Sequence, residues 1–425
     1  MKARTGAARP VPALIMGLGH PRQTAFVKSL AGIGVAVHAV HTERSVYQFS
    51  RHLAGFHEVE ANEEKQLHYL EKFGREAGGV VVPANDDYVA LVSRHRKRLS
   101  EHFIVPVPDW EIVGAIFDRA TCYAKAASIG IKVPRYWCPN SDAEMQAIVA
   151  ALEPQTCDYI IKTRSILGTP ADETTVRLTK AAPKLRKDIL TACEEFGRRT
   201  GEFPMIQQVT PGAADSAIGV TMVISPKGEI ILAYCVRRLR LASYRLDAGY
   251  VHPYELGSVV WCETVHDNEA LDAARELVKL FRYTGQITVE FRRDSRTGAL
   301  YLMKMEPRPV RATSLSTVIG MDIPTALYRA FTGDTPRVAT DYPDGIGWLW
   351  TMAYAKSLVS NQHHNRRDIV RVLRGARRIK AFAEDFSDPV PLARWAAGRA
   401  ARPLLAPLRR LFCPSRLNPG LPLNR

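Results

Sequence analysis

The most pointed chemistry in the sequence lies near residue 300. In "TGQITVEFRRDSRTGALYLMKMEPRPVRAT" two alternating runs flank "DSRTG", which predicts a β-hairpin with Glu290 on its first strand and Lys304 and Glu306 on its second. With no bulge, an even register brings these three to one face as direct or diagonal neighbours, about 5–8 Å apart. Magnesium takes oxygen ligands and is often held by one or two carboxylates plus phosphates, so Glu290 and Glu306 are candidate Mg2+ ligands. Lys304 between them has three readings. Its ammonium can act as a fixed cation on a phosphoryl group while the glutamates hold a metal; it can form a cross-strand ion pair that blocks the metal; or a bulge can turn it elsewhere. Arg308 and Arg311 follow the strand, and guanidinium groups suit the clamping of phosphate or carboxylate.

Other residues invite the same chemistry. Lys162 in "CDYIIKTRSILGTPADETTVRLTK" sits on a predicted strand before a loop containing Gly168, and a lysine beside a glycine loop is able to hold a polyphosphate. "VRRLRLASYRLDAGYV" supplies Arg237, Arg238, Arg240 and Arg245. His20 follows a glycine turn and is a candidate substrate contact. The dinucleotide fingerprint GxGxxG would need glycine where Arg22 stands, so Gly17 and Gly19 argue for a tight turn, not an NAD site. His363, His364 and the other histidines lack metal-ligand spacing, and neither a GxSxG elbow nor a Walker sequence is present.

The elements that must position these groups fall into two kinds. "PALIMGLGHPRQTAFVKSLAGIGVAVHAVHTE" reads as strand, turn, helix, strand; a helix over "EEKQLHYLEKFGREAG", a strand "GVVVPAND", a helix from Tyr88 and "FIVPVPD" continue the alternation, which implies a parallel sheet. A change comes near residue 118, where "DRATCYAKAASIGIKVPRYW" predicts a helix closed by Gly130 and stopped by Pro134. The stretch "FPMIQQVTPGAADSAIGVTMVISPKGEIILAYCVRRLR" predicts an antiparallel meander turning at Pro226–Gly228, and a helix over Glu269–Leu280 precedes the hairpin.

In this order the pieces resemble the ATP-grasp superfamily over residues 12–335, and among its members the free-standing ligases related to D-aspartate ligase and to the large chain of carbamoyl-phosphate synthetase. "FSR" (49–51) and "PANDDYVALVS" (83–93) match the preATP-grasp domain. "FDRATCYAKAASIGIKVPRYW" matches the linker helix, "YIIKTR" the strand with the nucleotide lysine, "MIQQVTPG" the hinge, and "VEFRRD" with "GALYLMKMEPR" the metal-binding hairpin. The resemblance implies an α/β and α+β chain with a Rossmann-like preATP-grasp domain (1–117), a linker helix and small lid (118–210), a large ATP-grasp subdomain (211–340) and a basic C-terminal extension (341–425). It implies ATP and Mg2+ as cofactors and ligation of a small-molecule carboxylate to an amine through an acyl phosphate. Lys162 would contact the phosphates and adenine, Arg119 would replace a second nucleotide lysine, and Gln207, Gln208 and Val209 would form the hinge against adenine. Arg308 would stabilise the transferred phosphate, and Arg240 would face the acceptor. Relatives usually carry Glu where Lys304 stands and Asn where Glu306 stands, so this chain departs twice, and a nucleotide-binding regulator is the alternative to a ligase.

Bulk composition constrains the rest. The 425 residues are 46% apolar, enough for two or three cored domains, and the seven cysteines form no CxxC pair, which fits a reducing cytoplasm. No run approaches the roughly 18–20 apolar residues of a membrane span. The net charge of +15 is concentrated late, in "NRRDIVRVLRGARRIK" (365–380) and an acid-free stretch from Pro389 to Arg425. Sparse aromatics there argue against nucleic acid; a solvated helix face is the plain reading, and weak contact with an anionic membrane surface through Trp395, Leu404, Leu405, Leu408, Leu411 and Phe412 is the other. A homodimer through the N-terminal domain is compatible with the sequence.

Overall fold

The computed structural model describes residues 10–153, 157–167, 176–178, 185–242, 258–334, 338–339, 341–360 and 375–391, with 393, 394 and 397. The apolar run after Pro12 forms β1 (Ala13–Met16); β2 (Val37–His41), β3 (Gly55–Glu58) and β4 (Val80–Pro83) follow. All pair in parallel in the order β3-β2-β1-β4. Parallel neighbours require crossovers, and the helices Pro21–Gly32 and Glu63–Ala77 supply them. The turn leaving β1 requires glycine: Gly17 has φ +92°, and a Cβ there would lie 3.2 Å from the Tyr88 ring. Buried Gln23 fixes that turn to the end of β4, because its side-chain oxygen accepts from the His20 N–H at 2.7 Å and its amide donates to the Ala84 carbonyl at 3.3 Å.

Asp118 divides the helices Trp110–Phe117 and Arg119–Ser128, and its carboxylate caps the second by accepting from the Thr121 N–H at 2.7 Å. A small antiparallel sheet follows, of β5 (Tyr136–Trp137), β6 (Tyr159–Lys162), β7 (Val176–Leu178) and β8 (Met205–Gln208), in the order β5-β8-β6-β7. Helices Asp142–Ala151 and Leu185–Thr200 cover it through a separate core that includes Val149, Ile161, Ile189, Phe196 and Ile206.

The large sheet contains β9 (Ala217–Ile224), β10 (Ile230–Ala242), β11 (Ser258–Thr264), β12 (Gly285–Arg293), β13 (Leu300–Glu306), β14 (Gly347–Leu349) and β15 (Ile379–Phe382), in the order β13-β12-β9-β10-β11-β14-β15. The expected single meander over 203–240 is corrected here. β8 belongs to the small sheet, and the chain leaves it at Pro211, which has no N–H for a ladder.

Only the end of the basic 365–380 segment is described, and there the structure differs from the expected solvated helix face. Residues 379–382 form a strand parallel to β14, with buried Ala381 opposite Trp348. Beyond it, Asp385 accepts from Lys28 Nζ at 2.9 Å and Asp388 from Ser50 Oγ at 2.6 Å, tying the segment to the parallel sheet. One core runs from β1 and the Pro21–Gly32 helix through Leu315 and Leu327 to Trp348 and Ala381. Residues 361–374, with His363 and His364, and the proposed membrane-contact residues of 395–425 lie outside the described residues. Among the described residues no helix is long and apolar enough to cross a membrane, and six cysteines are free.

Candidate active site

The β12–β13 register pairs Thr288 with Glu306 and Glu290 with Lys304, then Phe291 with Leu302. Met303 is therefore an extra residue, a bulge that the alternation did not reveal. The expectation of a bulge-free register is corrected: the turn-side pairing, Arg293 with Leu300, is shifted by this one residue, and the shift sets Glu290 opposite Lys304. Buried Tyr123 supports the bulge by donating its hydroxyl to the Met303 carbonyl at 2.7 Å.

Three cations share the two glutamates. Lys304 Nζ lies 2.5 Å from Glu306 Oε1 and 3.4 Å from Glu290 Oε2. Arg238 Nη2 donates to Glu290 Oε1. Arg308 donates to Glu306 at 3.1 Å and to Asp86 at 2.8 Å, joining the hairpin to the start of the Asp86–Arg94 helix. Glu290 and Glu306 are buried. Burial alone would raise the Glu306 carboxyl, but Arg308 and Lys304 outweigh it and hold the group well below the usual carboxylate range. Burial likewise opposes the charge on Arg308, and Glu306 and Asp86 more than restore it.

Of the three readings of Lys304, the bulge does not turn it away, and its ammonium bridges both carboxylates. Among the described residues no group of three or more acidic, histidine or cysteine side chains is placed to hold a metal. Two carboxylates are still a sufficient protein share for an Mg2+ ion that takes its other ligands from phosphates.

Lys162 ends β6, its Nζ 5.8 Å from the Tyr123 ring, and no carboxylate among the described residues pairs with it. Its half-buried ammonium is pushed well below the usual lysine range, first by loss of water and then by Arg119 and Lys304. Arg119 donates through Nη1 to the Thr163 carbonyl, to Thr163 Oγ1 at 2.9 Å and to the Ser165 carbonyl at 3.0 Å, so it also fixes the chain leaving β6. The small sheet and the large one thus present lysines toward a shared space, with an arginine alongside. Lys304 is compensated by Glu290 and Glu306, whereas Lys162 has no carboxylate partner among the described residues, and a lysine of that kind beside an arginine is suited to a polyphosphate.

No family model matches the chain. It is 18% identical over 271 residues to D-aspartate ligase from Enterococcus faecium, a match that spans 62% of this chain and 61% of that protein's length. N5-carboxyaminoimidazole synthetase from Staphylococcus aureus, solved with ADP, is similar with a TM-score of 0.56 at 14% identity, covering 79% of this chain and 80% of that one. The biotin carboxylase domain of 2-oxoglutarate carboxylase from Hydrogenobacter thermophilus, solved with MgADP, ADP and bicarbonate, gives 0.57 at 12% identity, covering 79% and 73%. The chain has the ATP-grasp fold.

Within this ATP-grasp chain the expected site residues separate. Glu290, Lys304, Glu306 and Arg308 are brought together, and Arg119 and Lys162 adjoin one another. Gln207 is buried, with its side-chain oxygen 3.2 Å from the Tyr123 hydroxyl, whose proton goes to the nearer Met303 carbonyl. The expectation for Gln208 and Val209 is corrected in part: their N–H groups already donate to the Arg135 and Asp158 carbonyls at 2.9 Å, so neither N–H is available to adenine. Arg240 is placed apart from the hairpin carboxylates. Its guanidinium stacks 5.2 Å from the Tyr354 ring, while Arg238 reaches the hairpin. The cause is the register shift after Arg238: Arg238 faces Cys262 and Arg240 faces Trp261, so the two arginines take opposite faces. Gly168 lies outside the described residues. Sequence reasoning missed Asp86 as the partner of Arg308; its only signal was its place in "PANDDY", 222 residues away.

Proposed function

We propose that the chain is an ATP-dependent ligase that joins a small-molecule carboxylate to an amine. The observation that carries this is Lys162, a desolvated lysine with no carboxylate partner among the described residues, beside Arg119 and electrostatically close to Lys304. Polyphosphate would supply the missing negative charge. The ATP-grasp fold, the likeness to a protein named D-aspartate ligase, and neighbours solved with ADP or MgADP support the same reading.

In the proposed reaction a substrate carboxylate oxygen attacks the γ-phosphorus of ATP, the bond to the β-phosphate oxygen breaks, and ADP leaves. The resulting acyl phosphate is attacked at carbon by an amine nitrogen; the C–O bond breaks, phosphate leaves, and the nitrogen loses a proton. Lys162 and Arg119 would bind the phosphate chain, and Arg308 and Lys304 would oppose the charge that develops on the transferred phosphoryl group. Mg2+, held by Glu290 and Glu306, would supply further neutralisation of the phosphates. Closure of the small sheet over the large one would keep water from the acyl phosphate.

The bridging position of Lys304 favours a second reading, in which the ion pairs exclude metal and the protein binds nucleotide as a regulator. Calorimetry with ATP and a non-hydrolysable analogue, with and without Mg2+, tests the nucleotide site; absence of binding in every condition overturns both readings. ADP release that depends on an added carboxylate and amine supports the ligase, whereas nucleotide binding without turnover across a broad substrate screen supports the regulator.

A further inference from the structure

Arg308 and Arg311 both follow the hairpin, and the structure separates them. Arg311 lies 5.1 Å from the Trp350 ring, whereas Arg308 turns back to the hairpin. Arg308 is held at two places: its Nε donates to Asp86 Oδ1 at 2.8 Å and its Nη2 to Glu306 Oε1 at 3.1 Å. A guanidinium is planar and carries its N–H donors in fixed directions, so a bond at Nε sets where the Nη edge points. With Asp86 on Nε, that edge points to the hairpin. Nη1 meets only the Pro309 carbonyl, at 3.4 Å, so the edge keeps donors to spare, and the side chain is 15% exposed.

The two anchors are not equivalent. Glu306 Oε1 also takes the Lys304 ammonium at 2.5 Å, and in the ligase reading Glu306 is a magnesium ligand as well. A carboxylate with those duties is a poor lasting support for the guanidinium. Asp86 is better placed, because Arg308 is its only ion-pair partner among the described residues. Its backbone is also well anchored. Asn85 caps the helix by accepting from the Tyr88 N–H at 2.8 Å, Tyr88 is buried, and the Ala84 N–H donates to the Met16 carbonyl of β1 at 2.9 Å. Such an element holds a side chain to a narrow geometry. Asp86 is an electrostatic neighbour of Arg119 too, so it borders the nucleotide side of the site.

We infer that Asp86 is a positioning residue for phosphoryl transfer: it fixes the plane of Arg308 so that the Nη groups meet the terminal phosphate. The inference rests on the ligase reading. A carboxylate would repel phosphate directly, so Asp86 acts only through the guanidinium that stands between them. The bond spans 222 residues of sequence, and through it the parallel-sheet side of the chain takes part in the chemistry of the hairpin. When Glu306 turns to its other partners, Asp86 keeps Arg308 in place.

The test uses the full chain and compares ADP with β,γ-imido ATP, each with Mg2+, by calorimetry; the ratio of the two affinities isolates the terminal phosphate. Arg308→Met should reduce that ratio by about tenfold, the scale of a lost charge-assisted contact. Asp86→Ala should reduce it by about fivefold or more while ADP affinity stays within about twofold. Asp86→Asn should fall between, and Asp86→Glu should recover part of the loss. The double variant Asp86→Ala, Arg308→Met should lose no more than Arg308→Met alone, because Asp86 acts through Arg308. Thermal unfolding is recorded for every variant, and Asp86→Asn, which keeps an acceptor of the same size, carries the comparison if Asp86→Ala does not fold. A lower melting temperature with an unchanged ratio makes Asp86 a structural staple and overturns the inference, as do additive losses in the double variant. A wild type that binds neither nucleotide rejects the ligase reading, and the positioning role falls with it. Nucleotide binding whose ratio ignores Asp86 rejects the positioning role alone.

Discussion

Lys304 holds its ammonium 2.5 Å from Glu306, its second neighbour on the same strand, where a metal ion would otherwise meet that carboxylate. The same ammonium is 3.4 Å from Glu290 across the hairpin, so one side chain occupies the space between both acids. If the ammonium serves the terminal phosphates, Lys304→Met removes a charge-assisted contact and weakens ATP by about tenfold or more, with little change for AMP. The blocked-site reading predicts the reverse, a gain in Mg–ATP affinity. Calorimetric titration of the variant with both nucleotides separates the two, and tighter ATP binding would reject a phosphate role for Lys304.

Lys162 is expected to trade stability for binding. A desolvated ammonium without a counter-ion destabilises the free protein, so Lys162→Met should raise its stability by about 1–3 kcal/mol while ATP affinity falls. The pH dependence follows from its lowered folded value. Between that value and the unfolded 10.5 the unfolded chain binds more protons, so the penalty is complete below the folded value and fades as pH rises toward 10.5. Thermal unfolding across alkaline pH should therefore show wild-type and variant curves converging; a constant gap would count against a buried charged lysine.

The chemistry-bearing strands were legible because their signals are local. Alternation around "DSRTG" locates the hairpin, but the register at the turn, Arg293 with Leu300, would put Glu290 opposite Met303, and it is the bulge at Met303 that brings Glu290 opposite Lys304. Parity across a bulge was not legible: two arginines two residues apart are assigned one face by period two, and the register shift in β10 parts them. Contacts across long separations were equally hidden. Nothing local in "NDD" marks Asp86 as the acceptor for Arg308, and nothing in a basic C-terminal segment marks Ile379–Phe382 as a strand, because its partner β14 lies more than thirty residues earlier.

The parting of Arg238 and Arg240 makes a paired prediction. Arg238→Met takes the guanidinium from Glu290, leaving that carboxylate to Lys304 alone, and should alter nucleotide or Mg2+ affinity. Arg240→Met removes a cation from the Tyr354 ring within the β10–β11 packing and should lower stability by about 1–2 kcal/mol without changing nucleotide affinity. Unfolding curves and ATP titrations on both variants check this. A nucleotide effect confined to Arg240→Met would restore the assignment made from alternation.

Glu306 predicts the acid limb of stability. Its folded value lies below the ordinary 4.5 because Arg308 and Lys304 outweigh the effect of burial. The stabilisation from this ion pairing is therefore complete above about pH 4.5 and is lost as pH falls through the folded value, where the carboxylate takes up a proton. Glu306→Gln leaves Arg308 with Asp86 and Lys304 with Glu290, so near pH 7 it should cost less than the about 3–5 kcal/mol of stranding a buried charge. The variant should then lose less on further acidification than the wild type, so that the two melting curves approach one another below pH 4. Parallel acid limbs would mean that Glu306 is protonated alike in folded and unfolded chains, and the cluster of cations around it would not be holding a carboxylate.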